Sequence, residues 1–233
     1  GNPSLFQSRT GTLMLFNGWG GWMQTSPDEG LTWSSPRDTY GDGVEKNKPV
    51  QLADGTILAV NEISTIQSTD DGETWSRRSK GGRQGTILIY PNNRLQMMYR
   101  TGGSESIGVK WSNNNGLSWS GGDCVLPNNN SSLDGTTLRD GTQVLAYNHQ
   151  YRSSGGHKGR GLLNMAVSQD GTAWSAVVLV NYLLRENYQY SYPVVIQSRD
   201  GLIHLVYNWH RRSIAYAVIN PAAFQPEPMP NGE

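Results

Sequence analysis

The octet STDDGETW spans Ser68–Trp75 and has three near-copies in the chain. SPDEGLTW covers Ser26–Trp33, SNNNGLSW covers Ser112–Trp119, and a shortened form, SQDGTAW, covers Ser168–Trp174. Starts are separated by 42, 44 and 56 residues. Self-similarity at such periods marks a solenoid, a propeller or another repeat array. The octet itself reads as a turn device. Asp and Asn side chains accept hydrogen bonds from nearby backbone N–H groups, and Gly at the fifth position takes positive φ without strain. The closing Trp then packs between neighbouring sheets. A metal site would need several oxygens converging on one ion. Boxes set one per repeat do not converge, so the octet is frame.

The segments between boxes repeat as well. PSLFQSRTGTLMLF, PVQLADGTILAV, GTILIYPNNRLQMMY, TTLRDGTQVLAY and YPVVIQSRDGLIHLVY each read as apolar strand, tight turn, apolar strand. The turns Thr10-Gly11, Asp54-Gly55, Asn92-Asn93, Asp140-Gly141 and Asp200-Gly201 suit two-residue hairpins. A third strand leads into each box and a fourth follows it. Four antiparallel strands per repeat make a propeller blade. The expected fold is an all-β propeller forming one domain over residues 1–233, with five blades at about 1–40, 46–82, 83–127, 131–182 and 189–220 and a tail at 221–233. The fifth blade supplies three clear strands and no box, so its open sheet edge must be covered or paired, and self-association there is expected.

Composition narrows the function. Lys+Arg and Asp+Glu are both 19, which argues against nucleic acid or an anionic membrane as partner. The single cysteine, Cys124, allows no intrachain disulfide and no multi-cysteine zinc site. No apolar run is long enough for a membrane span. No metal or cofactor is implied. The N-terminus carries no signal-peptide pattern. The chain starts at Gly rather than Met, so localisation is open, secreted or periplasmic if a leader was removed.

S-x-D-x-G-x-T-W repeated on a propeller resembles the Asp-box of the sialidase (neuraminidase) superfamily. NPSLF, KNKPVQLADGTIL, LQMMYRT, VLPNNNSSLDGTTLRDG and YSYPVVIQSRDGLIHLVYNWHRR look like bacterial BNR-repeat, sialidase-like proteins, and the resemblance covers almost the whole chain. Six blades are usual in that family, so five is a departure. The resemblance implies an arginine triad gripping a sugar carboxylate, a tyrosine nucleophile with a glutamate as its base, and an aspartate as acid/base. Arg100 in QMMYRT and Arg160 in GRGLLNMAVSQDG match triad positions. A planar guanidinium suits a carboxylate bidentately. YSYP offers Tyr190 and Tyr192: hairpin register favours Tyr192, the Tyr-Ser dipeptide favours Tyr190, and alternation puts both on one strand face. The glutamate register falls on Gln84, which cannot take a proton from tyrosine. Gly1 stands where the first arginine is expected, and the first-blade loop FNGWGGW contains no acid.

Blade starts read together are Asn2, Lys48, Gln84, Asp134 and Tyr192; ends of second strands are Glu62, Arg100, His149 and Trp209 with Arg211. Asp134 and Glu62 are the general-acid candidates, since a carboxyl kept protonated beside apolar walls donates a proton. The competing readings are a turn aspartate for Asp134, a rim charge paired with Lys48 for Glu62, and a satisfied polar residue for His149. With Lys48, Gln84, His149 and Arg211, these residues outline a site for an acidic sugar. Three functions compete. The first is a sialidase-like glycoside hydrolase acting on terminal sialic acid or another acidic sugar. The second is a non-catalytic glycan-binding propeller, with Trp19, Trp22 and Trp209 stacking on sugar faces. The third is a truncated or engineered propeller scaffold without activity.

Overall fold

The short apolar runs between boxes pair as antiparallel hairpins, because their alternation buries one side chain in two. In the computed structural model, which describes residues 2–18, 20–39, 41, 43–102, 105–123, 126–151, 160–182 and 189–229, the chain is an all-β propeller of five antiparallel sheets. Trp19 and Cys124 lie outside the described residues. Blade 1 comprises Ser4–Gln7, Leu13–Asn17, Trp22–Ser26 and Arg37–Asp38. Blade 2 comprises Val50–Gln51, Ile57–Val60, Ser64–Ser68 and Ser76–Lys80. Blade 3 comprises Thr86–Ile89, Leu95–Tyr99, Gly108–Ser112 and Ser120–Gly122. Blade 4 comprises Asp134–Thr137, Gln143–Asn148, Leu162–Ser168 and Ser175–Tyr182. Blade 5 has three strands, Tyr190–Gln197, Ile203–Trp209 and Ser213–Ile219. Close contacts group the chain into two compact units, Gly1–Met97 with Lys110–Gly121, and Met98–Val109 with Gly122–Glu233.

Each box ties its own turn. In blade 2, Asp70 Oδ1 accepts from Thr74 N at 2.9 Å and from Ser68 Oγ at 2.7 Å. Ser68 Oγ in turn accepts from Gly72 N at 2.8 Å. Trp75 Nε1 donates back to Gly72 O at 3.2 Å, which aims the indole across to the next sheet. The same knot forms around Asp28, Asn114 and Asp170. Gly72 has φ 88, a backbone conformation that side chains rarely adopt, and it packs against the end of the Met14 side chain.

In the first unit, blade 2 docks on blade 1 through this device. Trp75 meets Phe16 edge-on at 5.5 Å, and Met14, Phe16 and Met23 are fully buried. Trp119 repeats the move on blade 2, donating to Ser79 Oγ at 2.9 Å. Trp33 has the identical internal bond, to Gly30 O at 3.0 Å, yet is 37% exposed. In the second unit, Val144, Leu163, Met165, Val195, Ile203 and Leu205 form the core shared by blades 4 and 5.

Two stability tests follow from the knot. Trp75→Ala should cost about 2–3 kcal/mol for a half-buried indole and its cavity, and Trp33→Ala clearly less, read from urea midpoints. Asp28 and Asp170 are held at about 2, below the ordinary 3.8: for Asp28 chiefly by the Thr32 hydroxyl, for Asp170 by the backbone N–H groups of Ala173 and Thr172. A carboxyl depressed in the folded state stabilises it above the unfolded value and loses that contribution as pH falls. Stability should therefore fall between about pH 4 and 2, with a shallower slope in Asp170→Asn.

Candidate functional site

Positive backbone φ picks out the candidate residues Gln84 and Tyr192, among several others. Eleven non-glycine residues among those described have positive φ. Glu29, Asp71 and Asn115 hold the fourth position of a box, and Asn92 and Asn93 form a hairpin turn. His210 and Arg211 are the central residues of the turn joining Ile203–Trp209 to Ser213–Ile219, closed by Arg212 N on Trp209 O at 3.0 Å. The remaining four, Lys46, Gln84, Asn130 and Tyr192, lie in no box or hairpin turn. Left-handed backbone in bulky residues is costly and persists where surrounding structure imposes it, commonly at functional sites.

In the second unit the two arginines singled out by the sequence are anchored by adjacent residues of one loop. Arg100 Nε donates to Asn130 Oδ1 at 3.0 Å, and Arg160 Nε donates to Ser131 Oγ at 3.0 Å. Asn130 Oδ1 also accepts from Gly102 N at 3.1 Å. Neither anchor was singled out from the sequence. The signal was present in the Asn-rich run before blade 4, but it reads equally well as a surface turn. The side-chain oxygens of Asn128 and Asn129 accept from Ser131 N and Ser131 Oγ, so this run is spent on holding itself and the arginines.

Arg160 is 6% exposed. Burial lowers its guanidinium below the usual arginine value; the nearby Tyr192 hydroxyl pushes it back up, and Arg211 pushes it down. It remains cationic. The guanidinium carbon lies 5.6 Å from the Tyr192 ring centroid. Arg211 itself is exposed, with φ 57 and its backbone N–H on Asn208 Oδ1 at 2.6 Å.

The two tyrosines part company. Pairing runs Tyr190↔Trp209 and Ser191↔Asn208, then jumps to Val194↔Val206. The irregularity, with φ 54 at Tyr192, breaks the shared face that alternation implied. Tyr190 goes into the core beside Tyr207 and His210, and its carbonyl accepts from Asn148 Nδ2 at 2.8 Å. Tyr192 stays half-buried beside Arg160.

Asp134 and His149 each make a buried hydrogen bond within the second unit. Asp134 is fully buried, and its Oδ2 accepts from Val195 N at 2.9 Å, tying blade 4 to blade 5. His149 is buried, with Nδ1 hydrogen-bonded to the Tyr147 hydroxyl.

In the first unit Gln84 is buried with φ 47, and its Nε2 donates to Glu45 Oε1 at 3.4 Å. The same oxygen accepts from Asn2 Nδ2 at 3.0 Å. Glu45 is thus a buried carboxylate against the position where the family pattern wants one, and the sequence reading missed it. Lys46 was also missed: it stands eight before the turn at Asp54, as Gln84 and Tyr192 do before theirs, whereas Lys48 stands six before. Lys46 is buried, Lys48 half-buried. Glu62 is exposed and pairs with Arg83 at 3.3 Å, not with Lys48 as the competing reading had it. Among the described residues no group of three or more His, Cys, Asp or Glu gathers as a metal site.

The sequence profile described as BNR repeat-like domain matches residues 1–205. The chain belongs to that family. Its fold is that of sialidase-like propellers. It is similar to the Hadza microbial sialidase Hz136, at TM-score 0.72 and 15% identity, over 97% of this chain and 53% of that one. It is similar to the intramolecular trans-sialidase from Ruminococcus gnavus, at TM-score 0.67 and 20% identity, over 94% of this chain and 52% of that one. A Penicillium chrysogenum alpha-L-arabinanase matches at TM-score 0.63 and 15% identity, over 96% and 78%. The chain thus spans about half the length of these two sialidases. At such identities the likeness concerns fold. No curated protein sequence matches the chain.

The divergence of the tyrosines has a thermal signature. Tyr190→Ala should cost about 3 kcal/mol through the cavity it opens. Tyr192→Gly relieves the left-handed strain and should melt no lower than the parent.

Proposed function

We propose that this BNR-family chain is a sialidase-like glycoside hydrolase acting on a terminal sialic acid or another acidic sugar. The observation that carries the reading is Arg160. A buried guanidinium, oriented through Nε by Ser131 and lying 5.6 Å from the Tyr192 ring centroid, suits a substrate carboxylate. Arg100, set by the neighbouring Asn130, adds a second guanidinium from the same loop, and Arg211 a third positive charge. Tyr192 is the nucleophile in this reading. Its phenolic oxygen attacks the anomeric carbon as the aglycone leaves with a proton, and water then hydrolyses the glycosyl–tyrosine bond. Carbohydrate is the partner in this reading, by analogy with the sialidases of similar fold.

One observation favours a second reading, a glycan-binding propeller without turnover. Gln84 offers an amide where the family pattern calls for a base, and the two general-acid candidates are engaged elsewhere, Asp134 with Val195 N and Glu62 with Arg83.

Release of a fluorescent aglycone from an aryl sialoside separates the two. The hydrolase reading expects release by the parent, a loss of about 100-fold in kcat/KM in Arg160→Ala (about 2.7 kcal/mol), and abolished turnover with retained binding in Tyr192→Phe. Binding of sialic acid by a folded parent, without release at any pH from acidic to neutral, would leave only the second reading. Neither binding nor release would sink both.

A further inference from the structure

In the second unit the hairpin tip Trp209–Arg212 is built from residues that its turn does not favour. His210 and Arg211 have φ 56 and 57, and left-handed backbone at both central residues is the turn for which Asn-Gly is preferred. The one other pair of successive non-glycine residues with positive φ among the described residues, Asn92-Asn93, keeps to residues that tolerate it. At the tip a histidine and an arginine stand there instead, between a tryptophan and a second arginine.

The tip is propped from the core of the same unit. Ring contacts run outward in order: Tyr207 to Tyr190 at 6.3 Å, Tyr190 to His210 at 4.8 Å, and His210 to Trp209 at 4.1 Å. His210 is fixed further by its backbone N–H on Gln189 O at 2.7 Å and by Nδ1, which accepts from Gln189 N at 3.2 Å. At the end of this run Trp209 is 39% exposed. An indole held in this way loses little freedom when a ligand covers it. The C–H face of a sugar ring is apolar and stacks on such a surface, while the hydroxyls stay in water.

The tip is also electropositive. Arg211 and Arg212 are exposed, and neither forms an ion pair among the described residues. Arg160 feels the charges of Tyr192 and Arg211, and His210 that of Arg212; none of these neighbours is a carboxylate. The tip adjoins Arg160 through Tyr190, which pairs with Trp209 in the ladder and donates its backbone N–H to Arg160 O at 2.8 Å.

We propose that this tip is a second sugar subsite, in which Trp209 carries a ring and Arg212, with Arg211 shared, holds an anionic substituent on that ring. The subsite presupposes the proposed role of Arg160 in holding a first acidic sugar. The ligand is then an oligosaccharide that is acidic at two successive residues, the second bearing a carboxylate or a sulfate. Guanidinium suits either oxyanion. A neutral second sugar gains the stacking and leaves the charges unanswered.

Calorimetric titration of the full chain with four ligands tests the proposal. They are a methyl sialoside, a sialyl-galactoside that is neutral at its second sugar, the same compound sulfated on galactose, and a disialoside, which carries a carboxylate there. The parent should bind the sulfated compound or the disialoside about 10-fold more tightly than the sialyl-galactoside, and the tighter of the two names the anion. The preference should shrink as salt rises, because the arginines are exposed. It should vanish in Arg212→Gln and partly return in Arg212→Lys. Trp209→Ala should weaken all three larger ligands relative to the methyl sialoside, and Trp209→Phe should weaken them less. Each quantity is a ratio within one variant, so a general loss cancels, and circular dichroism checks folding. Equal affinity for charged and neutral second sugars, in a parent that binds the methyl sialoside, overturns the subsite and leaves the role of Arg160 standing. A preference that survives Arg212→Gln overturns it equally. If no ligand binds, the role of Arg160 and the subsite fall together.

Discussion

Everything in this molecule hangs on a carboxylate or amide oxygen accepting backbone N–H groups two to four residues further along the chain. Asp28, Asp70, Asn114 and Asp170 each close one such turn, with a serine hydroxyl bridging to the glycine N–H. The knot is local and self-sufficient. It needs no partner from another sheet to form. What it produces is directional, because the tryptophan that follows is pinned by its indole N–H to the glycine carbonyl in three of the four boxes. A tightly made turn thereby exports a large apolar side chain to the neighbouring sheet, and blade packing follows from the turn.

The candidate residues are held by the opposite kind of backbone. Gln84 in the first unit and Tyr192 in the second each adopt a left-handed conformation that their side chains disfavour. The frame can hold them there because the hairpins beside them are regular and well buried. Tyr192 illustrates the result: the irregular pairing between Ser191 and Val194 turns one tyrosine out of the strand's alternation and sets it against Arg160. The neighbouring Tyr190, two residues earlier, stays in the core. Frame and site are thus separate inventions within the same blades.

The repeats made the five blades and their hairpin turns legible, because turn chemistry and alternation are local rules that each copy obeys. The site was legible in part. Counting back from the turns found Gln84 and Tyr192, and consistent counting would have found Lys46. It could not find Glu45, which reaches Gln84 from a neighbouring segment, nor the Asn130–Ser131 pair that orients Arg100 and Arg160. Asp134 and His149 were candidates because they are polar at blade edges, and the sequence alone did not show what they bond to. Their partners, Val195 N and the Tyr147 hydroxyl, come from a facing strand and a buried ring. Alternation also predicted one face for both tyrosines, and a bulge that no residue type announces overrode it.

By itself the sequence determined the architecture: four boxes, five hairpins, and the register that relates them, since each depends on residues within reach along the chain. Only the tertiary structure decided which partner each candidate side chain meets. That choice depends on hydrogen-bond partners thirty or sixty residues away, such as Ser131 for Arg160 and Val195 for Asp134, and those distances carry no signature in a linear pattern.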